Sequence, residues 1–201
     1  MEQKTKITEY RKSDLFVIKT ILPYLVDIAI ALCVLFVLFL FFFRIAIIEG
    51  SSMYDTLVHN DYVLLLNSSI AGEPEQGDII VASKTTYENG APIIKRVIAT
   101  EGQKVDINFE TGVVSVDGIA LDEPYIHSKT DDFEGIYFPL VVEEGCIFVL
   151  GDNRVVSQDS RHPKIGQIDK REIVGKAIFL IFPGVNPATD CRQYDRIGVI
   201  S

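Results

Sequence analysis

The sequence predicts a mostly β protein, in which a single N-terminal transmembrane helix precedes an antiparallel β-sheet domain. Two observations carry this prediction. The first is a nearly uninterrupted block of apolar residues from 21 to 43. The second is a series of short apolar runs, separated by turn residues, along the rest of the 201-residue chain. A chain of this length can form one domain with a sizeable core.

The apolar block 21–43 is long enough to cross a membrane. As a helix it would extend roughly 35 Å, which exceeds the hydrocarbon thickness of a bilayer. Its one acid, Asp27, lies near the start, where an interfacial position is favoured over an intramembrane function. A cleaved signal peptide is the competing interpretation, but its apolar region would be shorter, and no small-x-small site follows this block. We therefore expect an uncleaved signal anchor that contacts the lipid bilayer.

Charged residues on the two sides of the block predict its orientation. Five basic residues precede it, whereas Arg44 is the only one close behind it. The positive-inside rule then places segment 1–20 in the cytoplasm and segment 44–201 outside the plasma membrane, with 21–43 as a single-pass anchor.

The region after the anchor reads as strands joined by turns. The motifs Glu110-Thr111-Gly112 and Asp117-Gly118 predict two hairpins, and the polar stretch His127–Gly135 predicts a loop. A smaller β subdomain is expected at about 101–145. The predicted strands are 62–66, 78–82, 92–100, 105–109, 113–116, 119–121, 146–150 and 173–182.

Charge and cysteine content exclude several classes of function. The net charge of the chain is −9, and the residues after the anchor carry −10, so nucleic acid is not an expected partner. The three cysteines form no CxxC motif, and the three histidines share no metal-ligand spacing. These patterns therefore favour no metal site. Whether Cys146 pairs with Cys191 stays open.

Two polar residues stand out as candidates for nucleophilic catalysis. Ser52 lies in a polar cluster just beyond the anchor, although such serines are commonly turn or capping residues. Lys95 lies between Ile93 and Val97 on one face of a predicted strand, and apolar neighbours can lower a lysine pKa from about 10.4 towards neutrality. The same pattern describes Arg96 equally well, and most strand lysines reach water. The local patterns alone leave both roles open.

Four ordered motifs together resemble type I signal peptidase, in particular its compact Gram-positive bacterial branch. They are Gly50-x-Ser52-Met53-x-x-Thr56-Leu57, Gly77-Asp78-Ile79-Ile80, Ile94-Lys95-Arg96-Val97-Ile98, and Gly151-Asp152-Asn153-Arg154-x-x-Ser157-x-Asp159-Ser160-Arg161. The resemblance extends from the anchor to about residue 175. It implies the signal-peptidase type of β-sheet domain and a membrane-bound serine endopeptidase with a Ser-Lys dyad.

The resemblance assigns roles residue by residue. It makes Ser52 the nucleophile, with its backbone N–H holding the oxyanion, and Lys95 the general base. It places Ser157 where its hydroxyl orients the lysine amine, and it makes Asp159 and Arg161 a supporting ion pair. Because the base must be neutral, the rate is expected to rise with pH above neutrality.

Two positions depart from the family pattern. Some members add a serine hydroxyl as a second oxyanion donor two residues before the nucleophile, where this chain has Gly50. Asp55 stands where the family usually has proline. This replacement loosens a rigid turn and adds a carboxylate near the site.

The implied substrates are secretory preproteins, cut after a small-x-small sequence. The resemblance places the substrate as an extended strand beside the segment that leads to Ser52. Residues expected to line its binding site, and equally able to be core, are Ile48, Gly50, Met53, Leu57, Val63 and Ile94.

Two other classes of protein are compatible with parts of this pattern. Self-cleaving Ser-Lys repressors share the dyad but have a DNA-binding segment and no anchor, which is the reverse of this chain. A catalytically weak or dedicated relative, acting in pilus or surface-protein assembly, is the non-enzymatic alternative; such relatives typically lack the serine or the lysine, and both are present here.

Overall fold

The computed structural model describes residues 2–200, and the side chains of residues 18–200. The chain divides into two compact units, Met1–Phe42 and Phe43–Ser201. The first contains helix α1, Glu2–Phe42, which begins well before the predicted span and ends one residue earlier. Its part Ile18–Phe42 is the one segment of the described chain that is long and apolar enough to cross a membrane.

The second unit is built from short strands, and its elements are antiparallel throughout. The strands are β1 Phe43–Ile47, β2 Tyr62–Asn67, β3 Ile79–Ser83, β4 Pro92–Thr100, β5 Lys104–Asn108, β6 Val113–Val116, β7 Ile119–Ala120, β8 Leu140–Val141, β9 Cys146–Leu150, β10 Ile168–Asp169, β11 Ile173–Phe182, β12 Val185–Asn186, β13 Cys191–Arg192 and β14 Gly198–Val199. Three short 3-10 helices cover Glu88–Gly90, Lys170–Glu172 and Tyr194–Arg196.

The strands form three sheets. The largest has eight strands in the order β1-β2-β11-β3-β4-β9-β10, and β14 pairs with β11 off this path. Strands β5 to β8 form a separate sheet in the order β7-β6-β5-β8, and β12 pairs with β13 in a small hairpin. The prediction of a mostly antiparallel β protein with an N-terminal apolar helix is confirmed.

The sequence missed six strands. Strand β1 was hidden because it begins at Phe43, inside the predicted anchor, and pairs with β2 through Phe43 and Leu66. The other five have two residues each, which is too short for alternation to be visible. The segment predicted as a loop, His127–Gly135, contains no helix or strand.

Strand β4 is the central element of the sheet, because core packs against it on both faces. Residues 93–99 of this strand are each at most 9% exposed. Ile94 belongs to one apolar cluster, Ile98 to a second, and Ile93 and Val97 to a third. A charged side chain in this strand must therefore find its partners within the protein.

Candidate active site

The nucleophile candidate and the base candidate meet although 43 residues separate them. Lys95 is 4% exposed in the middle of β4, where it is paired with Ile80 of β3. Ser52 is half-buried in the turn between β1 and β2. Lys95 Nζ donates to Ser52 Oγ at 3.0 Å and to the carbonyl of Ile94 at 2.9 Å.

The environment of Lys95 favours its neutral form. Burial lowers its pKa to about 8, although the carboxylates of Asp159, Glu134 and Asp152 oppose this effect. With that pKa, roughly a tenth of the molecules carry a neutral amine at pH 7, compared with about one in a thousand for a free lysine. In the neutral form the amine can accept the hydrogen bond from the Ser52 hydroxyl.

The turn that carries Ser52 is fixed from the opposite side by Asn153. The Asn153 N–H donates to the Ser52 carbonyl at 3.0 Å, and its side-chain amide donates to the Ser51 carbonyl at 3.2 Å. In the described chain, no group accepts a hydrogen bond from the Ser52 N–H. That donor is thus available for an oxyanion. Gly50 has a left-handed φ of +86° and no side chain to supply a second donor.

Gly151 permits the close approach of two segments of the site. A Cβ atom at this position would overlap the Ser52 carbonyl oxygen and the Ser157 side chain. Ser157 is 2% exposed, and its hydroxyl has no hydrogen-bond partner among the described residues. In this conformation the Lys95 amine therefore bonds to Ser52 and Ile94, without a bond to Ser157.

Asp159 and Arg161 form a fully buried ion pair beneath the loop. Arg161 Nε lies 2.9 Å from Asp159 Oδ1, and both side chains are 0% exposed. The second oxygen of Asp159 accepts from the Gly151 N–H at 3.0 Å. Arg161 also donates to the carbonyls of Arg154 and Ser157. The guanidinium thereby connects both ends of the loop that contains Ser157.

Glu134 is a component of the site that the sequence did not reveal. It lies in the polar loop, where no pattern distinguishes it from its acidic neighbours, and its Oε1 is 2.8 Å from Arg161 Nη2. Its Oε2 is buried without a partner among the described residues. Burial, with the nearby Asp159 carboxylate, raises the pKa of Glu134 to about 7. Glu134 therefore titrates in the same pH range as Lys95.

Replacing Glu134 by glutamine is expected to shift the pH dependence of cleavage. The Glu134 carboxylate raises the Lys95 pKa, so its removal favours the neutral amine. The acid limb of kcat should move to lower pH, with a larger gain at pH 7 than at pH 9. Rate profiles from pH 6 to 10 test this, with the exposed Glu110→Gln as control; an unshifted limb would contradict the coupling.

Arg96 has a different partner from its neighbour Lys95, which removes the ambiguity of the strand pattern. Its Nε and Nη2 donate to the two oxygens of Asp152 at 2.9 and 2.8 Å, in a pair that is at most 2% exposed. Asp152 also accepts from the Thr56 hydroxyl, and the Arg96 guanidinium lies 4.0 Å from the Tyr125 ring centre. Arg96 thus stabilises the scaffold, and Lys95 is left to face Ser52.

The apolar residues suggested for substrate binding lie together. Five of the six belong to one core cluster, and their exposed fractions range from 0% to 8%. Gly50, the sixth, is on the surface. The five clustered residues are Ile48, Met53, Leu57, Val63 and Ile94.

Asp55 is on the surface of the turn between β1 and β2, three residues after Ser52. Its carboxylate is 63% exposed and lies 3.1 Å from Nδ1 of His127, whose ring contacts that of Tyr54. Exposed pairs of this kind contribute about 0–1 kcal/mol. We expect Asp55→Asn to leave kcat within about twofold and the Tm within about 2 °C. A tenfold change in kcat would instead give Asp55 a part in turnover.

The structure answers whether Cys146 and Cys191 form a disulfide. Cys146 and Cys191 are both free thiols, as is Cys33. No disulfide therefore constrains the two later cysteines.

Comparison with known proteins identifies relatives that cover most of the chain. Signal peptidase I of Bacillus amyloliquefaciens is 36% identical over 78% of this chain and 81% of the relative. Signal peptidase I T of Bacillus subtilis (strain 168) is 34% identical, over 77% and 83%. Signal peptidase IB of Staphylococcus aureus (strain COL) is 32% identical, over 82% and 91%.

A solved structure and a family model complete the comparison. The crystal structure of a signal peptidase I from Enterococcus faecalis V583 is 28% identical, covers 52% of this chain and 96% of its own, and superposes with a TM-score of 0.42. The family model described as signal peptidase, peptidase S26, matches residues 21–182, which include both Ser52 and Lys95. By this match and by its curated relatives, the chain belongs to the signal peptidase family, peptidase S26.

Proposed function

We propose that this chain removes N-terminal signal peptides from secreted preproteins, with Ser52 as the nucleophile and Lys95 as the general base. The observation that carries the proposal is the 3.0 Å contact between the Ser52 hydroxyl and a buried lysine amine. The pKa of that amine is lowered to about 8 by burial, which suits a base that works near neutral pH.

The two residues suffice for both halves of a hydrolysis. Neutral Lys95 takes the Ser52 proton as Oγ attacks the scissile carbonyl, and the oxyanion accepts a hydrogen bond from the Ser52 N–H. The lysine ammonium then gives its proton to the leaving amine, and an acyl-enzyme remains. Lys95, neutral again, takes a proton from water as that water attacks the ester. The ammonium then returns this proton to Ser52 Oγ as the bond between the acyl carbon and Oγ breaks, which releases the second product and regenerates both residues.

Supporting roles are assigned to the loop behind the dyad. Ser157 has a buried hydroxyl with no partner, and rotation about its Cα–Cβ bond would let it orient the Lys95 amine during turnover. The buried pair of Asp159 and Arg161 holds that loop in place. These roles need no metal or cofactor.

The substrate site is proposed along strand β1. This strand is at the edge of the large sheet and, among the described strands, pairs only with β2, so its outer backbone groups can bind an extended peptide that carries a small-x-small sequence. The side chains of Ile48, Met53, Leu57, Val63 and Ile94 are at most 8% exposed, so in this conformation they form core beneath the proposed site.

The apolar helix and the family together indicate a membrane-anchored enzyme. We propose that residues 1–20 lie in the cytoplasm, that 21–43 form a single-pass anchor, and that 44–201 form the extracytoplasmic catalytic domain. The separate β5–β8 sheet supports the smaller subdomain that we propose at about 101–145.

The test uses the purified full-length protein in detergent or liposomes with a preprotein that carries an Ala-x-Ala site. We expect the new N-terminus, read by mass spectrometry, to follow the second alanine. Ser52→Ala and Lys95→Ala should abolish the product, whereas Ser51→Ala should retain it, because the exposed Ser51 contributes only its backbone to the site.

Two outcomes would oppose the proposal. Cleavage that persists in Ser52→Ala would exclude this serine as the nucleophile. An inactive wild type on every preprotein tried would favour the dedicated assembly factor. The contact between Ser52 and Lys95 argues for the enzyme.

A further inference from the structure

The chain continues past the family match in a segment that folds back onto residues 48–61, the turn between β1 and β2 that contains Ser52. We call these residues the nucleophile turn. We call residues 183–200 the C-terminal segment; it contains β12, β13, the 3-10 helix Tyr194–Arg196 and β14. The match to the family ends at residue 182, where β11 ends. The backbone at Gly184 lies so close to residues 59–61 that a Cβ atom there would overlap the His59 carbonyl oxygen.

Arg196 makes the side-chain hydrogen bonds that connect this segment to the turn. Its Nη2 lies 2.7 Å from Asp61 Oδ2, and its Nη1 lies 3.2 Å from Asp61 Oδ1. The same Nη2 donates to the carbonyl of Thr56 at 2.9 Å. The Asp61 side chain is 0% exposed and that of Arg196 is 17% exposed, so water screens this pair little.

Asp61 also bonds to the backbone of the turn and to that of the C-terminal segment. It accepts hydrogen bonds from the N–H of Val58 at 2.8 Å and from the N–H of Gly184 at 2.7 Å. Among the described residues, Arg196 is the only cation that forms an ion pair with Asp61. The guanidinium therefore neutralises the carboxylate around which the end of the turn is organised.

Thr56 connects the Arg196 contact to strand β4, which contains Lys95. It is four residues after Ser52, and its hydroxyl donates to Asp152, the partner of Arg96 in β4. Its carbonyl is held on the other side by Arg196. The turn is thus fixed at Thr56 from two directions, and at Ser52 by Asn153.

From these contacts we infer that Arg196 is a positioning residue for Ser52, acting from a segment outside the family match. The inference rests on the proposed role of Ser52. Arg196 touches neither Ser52 nor Lys95, so it acts by fixing the turn in the position where Oγ meets the amine. Misplacement of reacting atoms by about 1 Å can lower a rate by roughly 100-fold.

The test compares Arg196→Met with Arg192→Met in the full-length protein, using the Ala-x-Ala preprotein. Arg192 is a matched control, since it lies in the same segment but contacts the Pro183 carbonyl and the Phe182 ring. For Arg196→Met, kcat per folded molecule should fall roughly 10- to 100-fold. KM should change less than about twofold, and the acid limb of the pH profile should stay in place, because the surroundings of Lys95 are not altered.

A second variant keeps the inference testable if Arg196→Met does not fold. Arg196→Lys retains the charge for Asp61 but not the fork that also reaches the Thr56 carbonyl. We expect it to be folded, by near-UV circular dichroism, and to lose about three- to tenfold in kcat.

Three results would overturn the inference. They are wild-type kcat per folded molecule in Arg196→Met, wild-type kcat in Arg196→Lys, or an equal loss in Arg192→Met. A purely structural role would reduce the folded fraction and leave kcat per folded molecule unchanged. Ser52→Ala separates this inference from the proposed function: residual cleavage there removes the function itself, whereas an inactive Ser52→Ala with a fully active Arg196→Met removes only the role of Arg196.

Discussion

Replacing Lys95 by methionine is expected to lower kcat by roughly 10²- to 10⁴-fold across pH 6 to 10, without loss of folded protein. Methionine fills a similar volume but cannot take the proton of Ser52. In the wild type, burial of the amine at a site that is 4% exposed has an unfavourable desolvation free energy, which an apolar side chain avoids. The Tm should therefore stay within about 2 °C of the wild type or rise. The measurements are steady-state cleavage and thermal unfolding by near-UV circular dichroism.

Lys176→Met is the matched control for this experiment. Lys176 is also a strand lysine of the large sheet, but it is 32% exposed and pairs with Asp78 at 2.6 Å. Its replacement should leave kcat within about twofold, since this half-buried pair involves neither Ser52 nor Lys95. If Lys95→Met kept more than about a tenth of the wild-type kcat at pH 9, the proton of Ser52 would have to go elsewhere.

Arg161→Met is expected to produce the largest loss of stability. Arg161 is 0% exposed and lies 2.9 Å from Asp159 and 2.8 Å from Glu134. Its removal leaves two acids buried without their cation, which typically costs about 3–5 kcal/mol in the free energy of unfolding. For a chain of this size, that corresponds to a fall in Tm of roughly 6–20 °C. The eight tyrosines provide the near-UV signal, because the chain has no tryptophan.

The loss should depend on pH in a definite direction. The pKa of Glu134 is raised to about 7, so at pH 5 this group carries a proton and needs no cation, whereas at pH 8 it is charged. The difference in Tm between wild type and Arg161→Met should therefore be smaller at pH 5 than at pH 8. Arg171→Met is the control, because that side chain is 90% exposed and its removal should leave the Tm close to that of the wild type. Equal losses in the two variants would contradict the argument.

The longer strands could be read from the sequence because their physical causes are local. Alternation and turn residues predicted β4 as 92–100 and β11 as 173–182, and both bounds agree with the structure. Strand β1 was not predicted, because only Phe43 lies in the predicted anchor and residues 44–47 carried no assignment. The pairing of Phe43–Ile47 with β2 decides its conformation, and pairing is a long-range property.

For the active site, the sequence supplied the residues but not their surroundings. Local pattern could not separate Lys95 from Arg96, because both lie in a strand buried on both faces. The difference is the partner: Arg96 has Asp152, 56 residues away, and Lys95 has Ser52. Glu134 and Arg196 were missed for the same reason, since an acid in a polar loop and an arginine near the C-terminus carry no local sign of what they will contact.

Gly151 lies close to both Ser52 and Ser157, so the turn that carries Ser52 depends on a segment far along the chain. The nucleophile turn rests on the end of β9 and on Asn153, about a hundred residues further along the chain. A copy in which β9 has not yet joined β4 has the serine and the lysine in its sequence but no supported dyad. Proteolytic competence therefore requires that two segments about a hundred residues apart in the sequence have come together.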